Sequence, residues 1–344
     1  MERTTCVSRR TLWVKQLSRE KNEKYSRDSP KGQLNYVIKV NVPALPQLPC
    51  LFAIGLTAAL MMTSAPVDAA KPVEQQPLWP AGISDRVTAV EGDVRAQAAA
   101  VFVPVLQHYR LGAEYPRPAI IICPGGGYGM RAGHEGEPLA KWANSLGFHG
   151  FVCQYRVNPW LHPAPLNDLQ RAIRIVRANA TAWGVDPRKI AVLGFSAGGH
   201  LVSSAACFGD DGAPTAEDPL DRMSSRANAL VACYPVISFG PFGHVGSRNH
   251  LLGKNQDPDL VRQLSLENSV TSAHPPAFLW HTSDDAAVPV ENSLLYAQAL
   301  RAAKVPFALE IYPHGCHGLG LATGKAPVEN WTAACAAWFR SLGW

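Results

Sequence analysis

KIAVLGFSAGGHLVSSAAC, residues 189–207, joins an apolar run to a helical pattern through a sharp Gly-Phe-Ser-Ala-Gly turn. KIAVLGF reads as a buried strand, and AGGHLVSSAAC as a helix beginning just after Ser196. Gly194 to Gly198 fits the G-x-S-x-G pattern, which has meaning only where a strand precedes it and a helix follows. A serine on such a turn sits in a strained backbone conformation, and the flanking glycines avoid collisions with neighbouring elements. Its hydroxyl projects at a helix N-terminus, where the helix dipole favours a developing oxyanion. The bland alternative is a chance Gly/Ser-rich turn, and the strand–turn–helix context speaks against it. Ser196 is therefore the candidate nucleophile.

On either side of this unit, apolar runs and helical patterns alternate, as in a mostly parallel sheet flanked by helices. Strands are expected at 98–106 (AAAVFVPVL), 118–124, 148–157, 229–236, 276–282 and 307–313. Helices are expected at 135–146, 165–183, 291–303 and 328–342. In the second of these, Leu169, Ala172, Ile173, Val176 and Ala180 recur at three- and four-residue steps, opposite Arg171, Arg174 and Arg177. Those arginines read as a solvated face, and Asp168 with Arg171 as a structural i,i+3 pair. The longest irregular connections, 209–228 and 237–275, are expected over the carboxyl ends of the strands.

A serine hydroxyl needs a base to take its proton, and that base needs an orienting acid. Run 276–282 ends in Ser283-Asp284-Asp285, and run 307–313 ends in His314-Gly315-Cys316-His317. The order Ser…Asp…His thus falls at successive strand ends. Asp284 and Asp285 point in different directions, so only one can orient an imidazole. Asp285 is preferred from its position relative to Val288-Pro289, leaving Asp284 to cap a turn. His317 is preferred to His314, which follows its strand too closely to reach back. His281 lies within a strand and reads as a core residue or a support behind the acid. Pro124-Gly125-Gly126-Gly127-Tyr128-Gly129 follows the strand at 118–124. Its glycines would let the amides of Gly126 and Gly127, with that of Ala197, approach an oxyanion. The loop matches neither phosphate-binding pattern, GxxxxGK[ST] or GxGxxG. Tyr128, Trp160 and His162 are candidate cleft residues. His134, Glu135 and Glu137 lack the H-E-x-x-H spacing of a zinc site, and no metal or cofactor is expected.

The formal charge of +5 does not imply a polyanionic partner. Residues 1–70 carry 10 of the 32 Lys/Arg and 5 of the 27 Asp/Glu, so the remainder holds 22 of each sign. Nucleic-acid binding is not expected. The apolar run 51–63 (LFAIGLTAALMMT) has the length of a signal-peptide core and is short for a membrane span. Residues 1–69 read as a leader, with a signal at 37–69, Lys39 in its n-region and cleavage before Ala70. The unusual stretch ahead of the signal suggests that translation starts downstream of Met1. These readings predict a secreted or periplasmic protein, without stable membrane contact after cleavage, whose 70–344 form one catalytic domain. An anchoring helix is the alternative. The six cysteines after the leader show no CxxC or metal spacing.

Once these loops are placed, the chain resembles the bacterial acetyl-xylan-esterase-like α/β-hydrolases, a xylanase-associated group. The resemblance is carried by PGGGYGMRAGHEGEPLAKW, QYRVNPWLHPAPLNDLQRAIRIVR, WGVDPRKIAVLGFSAGGHL, HTSDDAAVPVENS and HGCHGLGL, and spans about residue 78 to the C-terminus. It implies an α/β-hydrolase fold, with a mostly parallel central sheet and helices on both faces. It also implies a Ser196–His317–Asp285 triad, with Gly126, Gly127 and Ala197 at the oxyanion hole. The expected activity is hydrolysis of short acyl esters, acetyl above all, on small molecules or oligosaccharides such as acetylated xylan. Pro124 replaces the His of the broader lipase/esterase HGGG motif, which argues against the hormone-sensitive-lipase type. Cys316 has no counterpart in the usual histidine loop. The rivals are a prolyl-oligopeptidase-type peptidase, whose gating domain would find no room, and an inactive carbohydrate-binding relative, which would not be expected to keep a whole triad.

Overall fold

The structure, a computed structural model, describes residues 74–83, 93–112, 114–254 and 256–344. The leader at 1–69 and its signal at 37–69 lie outside the described residues. Among the described residues, no helix is long and apolar enough to cross a membrane.

Eight strands form one sheet: β1 (Gln75–Pro77), β2 (Val105–Tyr109), β3 (Arg117–Cys123), β4 (His149–Gln154), β5 (Val185–Phe195), β6 (Ala229–Cys233), β7 (Ala277–Thr282) and β8 (Phe307–Tyr312). Their order across the sheet is β1-β2-β4-β3-β5-β6-β7-β8. β1–β2 and β2–β4 pair antiparallel, and all other pairs are parallel. The nine helices of the described residues are α1 (Val94–Val101), α2 (Glu137–Ser145), α3 (Ala164–Ala178), α4 (Ala180–Trp183), α5 (Ala197–Phe208), α6 (Val245–Leu252), α7 (Pro258–Gln263), α8 (Glu291–Ala302) and α9 (Trp331–Ser341).

The central strands are apolar on both sides because both sides are covered. Ile121, Val192, Leu230 and Leu279 face a core shared with α3, α5 and α8. Ile120, Ile122, Leu193, Val231 and Phe278 face the opposite core, filled by Leu139 of α2 and by Trp331, Cys335 and Phe339 of α9. α5 runs through the first core with ten of its residues buried, which explains its nearly uniform apolar and small-residue sequence.

Several expectations need correction. Residues 98–101 belong to α1, not to a strand. Asp93 caps that helix through Arg95 N and Ala96 N, the alanines favour it, and the strand begins only at Val105 beyond Pro104. The pattern at 165–183 divides into α3 and α4 at Asn179, whose side-chain amide turns back onto the Ile175 carbonyl. The connection 209–228 follows α5 and enters the N-terminal end of β6, so it lies at the end of the sheet away from Ser196; connection 237–275 leaves the carboxyl end of β6 and supplies the expected cover.

The arginine row of α3 is likewise not a free solvated face. Arg171 pairs with Asp218 at 2.7 Å, Arg174 with Asp210 at 2.7 Å, and Arg177 donates to the carbonyls of Ser224 and Arg226. The row pins connection 209–228 to the helix. Asp168 does not pair with Arg171: it holds the buried Arg156 at 2.8 Å and accepts from Trp79 Nε1 at 2.7 Å. Burial raises the pKa of Asp168, against the opposing hydrogen bonds and charge of Arg156.

Candidate active site

Between β5 and α5 the chain reverses within one residue. Ser196 has φ 54° and ψ −120°, a conformation that ordinary residues adopt only when the surroundings enforce it. The enforcement is visible in its neighbours. A Cβ on Gly194 would lie 2.1 Å from the Gly198 carbonyl oxygen, and one on Gly198 would lie 2.2 Å from that of Cys123. Backbone therefore packs directly on backbone at both ends of the turn. Ser196 N–H donates to the Cys233 carbonyl at 3.0 Å, tying the turn to the end of β6.

β7 and β8 bring the two later loops to the same edge. His317 Nε2 lies 2.7 Å from Ser196 Oγ, and its Nδ1 lies 2.6 Å from Asp285 Oδ2. The acid on Nδ1 assigns that nitrogen the proton, so Nε2 accepts from the serine hydroxyl. Asp285 Oδ1 accepts from Ala287 N and Val288 N, both at 2.9 Å. His281 stands behind it, 3.5 Å from Oδ2, held by Ser293 and by the Val288 carbonyl. Burial pushes the Asp285 carboxyl upward, but hydrogen bonds from His281, His317 and Val288 together outweigh it and hold it well below the ordinary carboxylate range. The two alternatives pair with each other. His314 Nδ1 meets Asp284 Oδ2 at 3.1 Å in exposed positions, and Asp284 also accepts from Gly315 N.

The glycine loop lies beside Ser196. A Cβ on Gly125 would come 3.0 Å from that of Ser196, and Gly126 and Gly127 have φ of +124° and +63°. Gly125 N–H is already taken by Glu135 Oε2 at 2.7 Å. Among the described residues, the amides of Gly126, Gly127 and Ala197 donate to no protein group. These three donors can accept a negatively charged oxygen next to the serine.

Tyr128 is corrected from a cleft residue to a packing one: it is 1% exposed, and its hydroxyl meets His200 Nδ1 at 2.8 Å behind the loop. Trp160 is also buried, against Phe102, and lines a cavity of about 590 Å³ that includes Met130, Arg131 and Asn158 but not Ser196. Several contributors carried no sequence signal of their own. In α6, His250 Nδ1 meets the Gly127 carbonyl at 2.8 Å. His244 accepts from Ser247 N, so its remaining proton sits on Nε2, and its Cε1 lies 3.7 Å from where a Gly127 Cβ would be. Burial, then the neighbouring His317 and His250, lowers the His244 pKa and keeps that ring neutral. Glu135 and Tyr234 form a further pair behind the loops.

The BD-FAE family model matches residues 109–300. Over 239 residues the chain is 38% identical to endo-1,4-beta-xylanase B of Butyrivibrio fibrisolvens, covering 68% of this chain and 38% of the relative. It is 37% identical over 230 residues to an acetylxylan esterase of Xylanibacter ruminicola, covering 65% and 45% respectively. The chain thus spans less than half the length of either curated relative. The crystal structure of an acetyl ester-xyloside bifunctional hydrolase from Caldicellulosiruptor lactoaceticus superposes with a TM-score of 0.74 at 49% identity, over 80% of this chain and 98% of that one. The carboxylesterase Cest-2923 of Lactobacillus plantarum superposes with a TM-score of 0.56 at 29% identity, over 71% and 91%. The sheet order, the elbow and these likenesses agree: the chain has the α/β-hydrolase fold and belongs to the BD-FAE family, among its acetylxylan-esterase-like members.

Proposed function

We propose that this protein is a serine carboxylesterase that removes short acyl groups, acetyl foremost, from carbohydrates. The observation that carries the reading is the unbroken line from Asp285 through His317 to Ser196, with contacts of 2.6 and 2.7 Å. In this reading His317 takes the Ser196 proton as Oγ attacks the ester carbonyl. The carbonyl oxygen becomes an oxyanion held by the amides of Gly126, Gly127 and Ala197. His317 then gives its proton to the departing alcohol, leaving an acyl-enzyme. Water, deprotonated by His317, attacks the acyl carbon and releases the acid with Ser196 restored. Asp285, kept ionised by its hydrogen bonds, holds the imidazole tautomer and stabilises the imidazolium in both halves.

Support for the carbohydrate ester comes from relatives whose names include xylanase and acetylxylan esterase. The first test is hydrolysis of p-nitrophenyl acetate by wild type and by Ser196→Ala; comparable activity in the two overturns the assignment. Acetylated xylo-oligosaccharides, set against p-nitrophenyl butyrate and octanoate, test the substrate class, and a preference for the long acyl chains contradicts it. Export through the leader belongs to the same proposal, and N-terminal sequencing of the native protein, expected to begin at Ala70, tests it.

A further inference from the structure

We infer that Glu135 is a positioning residue that fixes the oxyanion loop and the histidine loop in one register. This inference rests on the proposed roles of Ser196, His317 and the loop amides. Glu135 is 2% exposed and ends a single 3-10 turn, a place where a carboxylate would ordinarily face water. Both of its oxygens are spent on distant partners, one a backbone amide and the other a side-chain hydroxyl. Oε2 accepts from Gly125 N–H at 2.7 Å, immediately before the two amides assigned to the oxyanion. Oε1 accepts from the Tyr234 hydroxyl at 2.6 Å, and that hydroxyl accepts from Gly320 N–H at 2.8 Å, three residues after His317. One carboxylate thus closes a relay from the histidine loop to the oxyanion loop.

The surroundings keep the relay close to the chemistry. A Cβ on Gly125 would meet Glu135 Oε2 at 2.8 Å and Ser196 Cβ at 3.0 Å, so only a glycine separates the carboxylate from the serine. The Tyr234 ring stands 4.9 Å from the His317 ring, edge to face. Tyr234 holds φ +35°, unusual for a residue with a side chain, in a segment whose N–H donates to the Trp280 carbonyl. The adjacent His134 Nε2 meets the Gly318 carbonyl at 2.9 Å, a second tie between the same segments. Gln in place of Glu keeps the shape but turns one acceptor into a donor, which must then face Gly125 N–H or the tyrosine hydroxyl. Facing Gly125 N–H, the new donor breaks that link; facing the tyrosine, it reverses the hydrogen bond and leaves the hydroxyl proton without its acceptor.

The experiment compares Glu135→Gln, Glu135→Asp and Tyr234→Phe with wild type. Intact sites are titrated with a fluorophosphonate, and kcat per labelled site is measured on p-nitrophenyl acetate. Phenylboronic acid, which forms a tetrahedral adduct with a serine, reports how well the oxyanion site is set. For Glu135→Gln the expected result is a loss of about 10- to 100-fold in kcat per site with KM within about threefold, because a displaced oxyanion donor acts on the transition state and little on ground-state binding. Boronate affinity should fall by a similar factor, and Glu135→Asp should recover part of both. Tyr234→Phe should show the same split and carries the test if Glu135→Gln does not fold. A lower melting temperature with unchanged kcat per site and unchanged boronate affinity overturns the inference, since a purely structural tie would behave that way. A wild type that neither labels nor turns over overturns the esterase reading and this inference with it.

Discussion

At the scale of single residues, adjacent positions with the same chemistry receive opposite roles from their backbone. Asp285 turns inward to two amides and an imidazole, whereas Asp284 turns outward to His314 and Gly315 N. Asp285→Asn is therefore expected to lower kcat by about 10³- to 10⁴-fold, through loss of the correct tautomer and of imidazolium stabilisation. Asp284→Asn, which touches only an exposed pair, should stay within about threefold of wild type. Equal losses from the two variants would contradict the assignment, and steady-state kinetics on p-nitrophenyl acetate decides it. The acid was legible in the sequence from its position relative to Val288-Pro289, and the strand end that carries it from the apolar run at 276–282. The placement of Tyr128 was not, because a tyrosine after three glycines reads the same whether it faces a cleft or turns back onto His200. Glu135 escaped for a related reason: its partners are an amide and a hydroxyl about ten and a hundred residues away, and no spacing rule links them.

At the scale of elements, the elbow works because its glycines let the backbones of β5, β3 and α5 pack directly on one another. Gly198→Ala would place a methyl 2.2 Å from the Cys123 carbonyl oxygen and 2.5 Å from that of Pro124. Neither can retreat without moving a strand, so the substitution should cost at least about 3 kcal/mol and lower the urea midpoint. An unchanged midpoint would show that the contact can relax. α3 offers a second case. Asp168 is buried against Arg156 and Trp79, so Asp168→Ala removes the counter-charge of a buried guanidinium and should destabilise by about 3–5 kcal/mol, measured by the same unfolding curves. The helical period of α3 exposed its apolar stripe in the sequence. Its arginines misled because periodicity gives a face, not what later folds over that face. The error at 98–101 has the opposite origin: a run of alanines and valines is apolar under either period, and the deciding signal was the single cap Asp93. Connection 209–228 was misplaced because loop length says nothing of which end of a sheet a loop occupies; the direction of the strand it enters does.

At the scale of the whole molecule, the fold buries histidines that it holds neutral. His108, His200 and His274 are each lowered to about 4, in every case chiefly by burial. In an unfolded chain each would titrate near about 6.5. Between those values the unfolded chain binds protons that the native state refuses, so stability is full above about pH 6.5 and falls as pH drops toward 4. With three such groups the slope can reach about 4 kcal/mol per pH unit in the middle of that window. Urea unfolding at pH 7.5, 6 and 5 checks this, and a pH-independent midpoint would contradict it.

Peptide mapping after reaction with a fluorophosphonate tests the central assignment most directly. One adduct per chain is expected, carried by the tryptic peptide containing Ser196, and abolished by His317→Ala as well as by Ser196→Ala. An adduct on any other serine, or one that survives loss of His317 at the wild-type rate, would contradict the account.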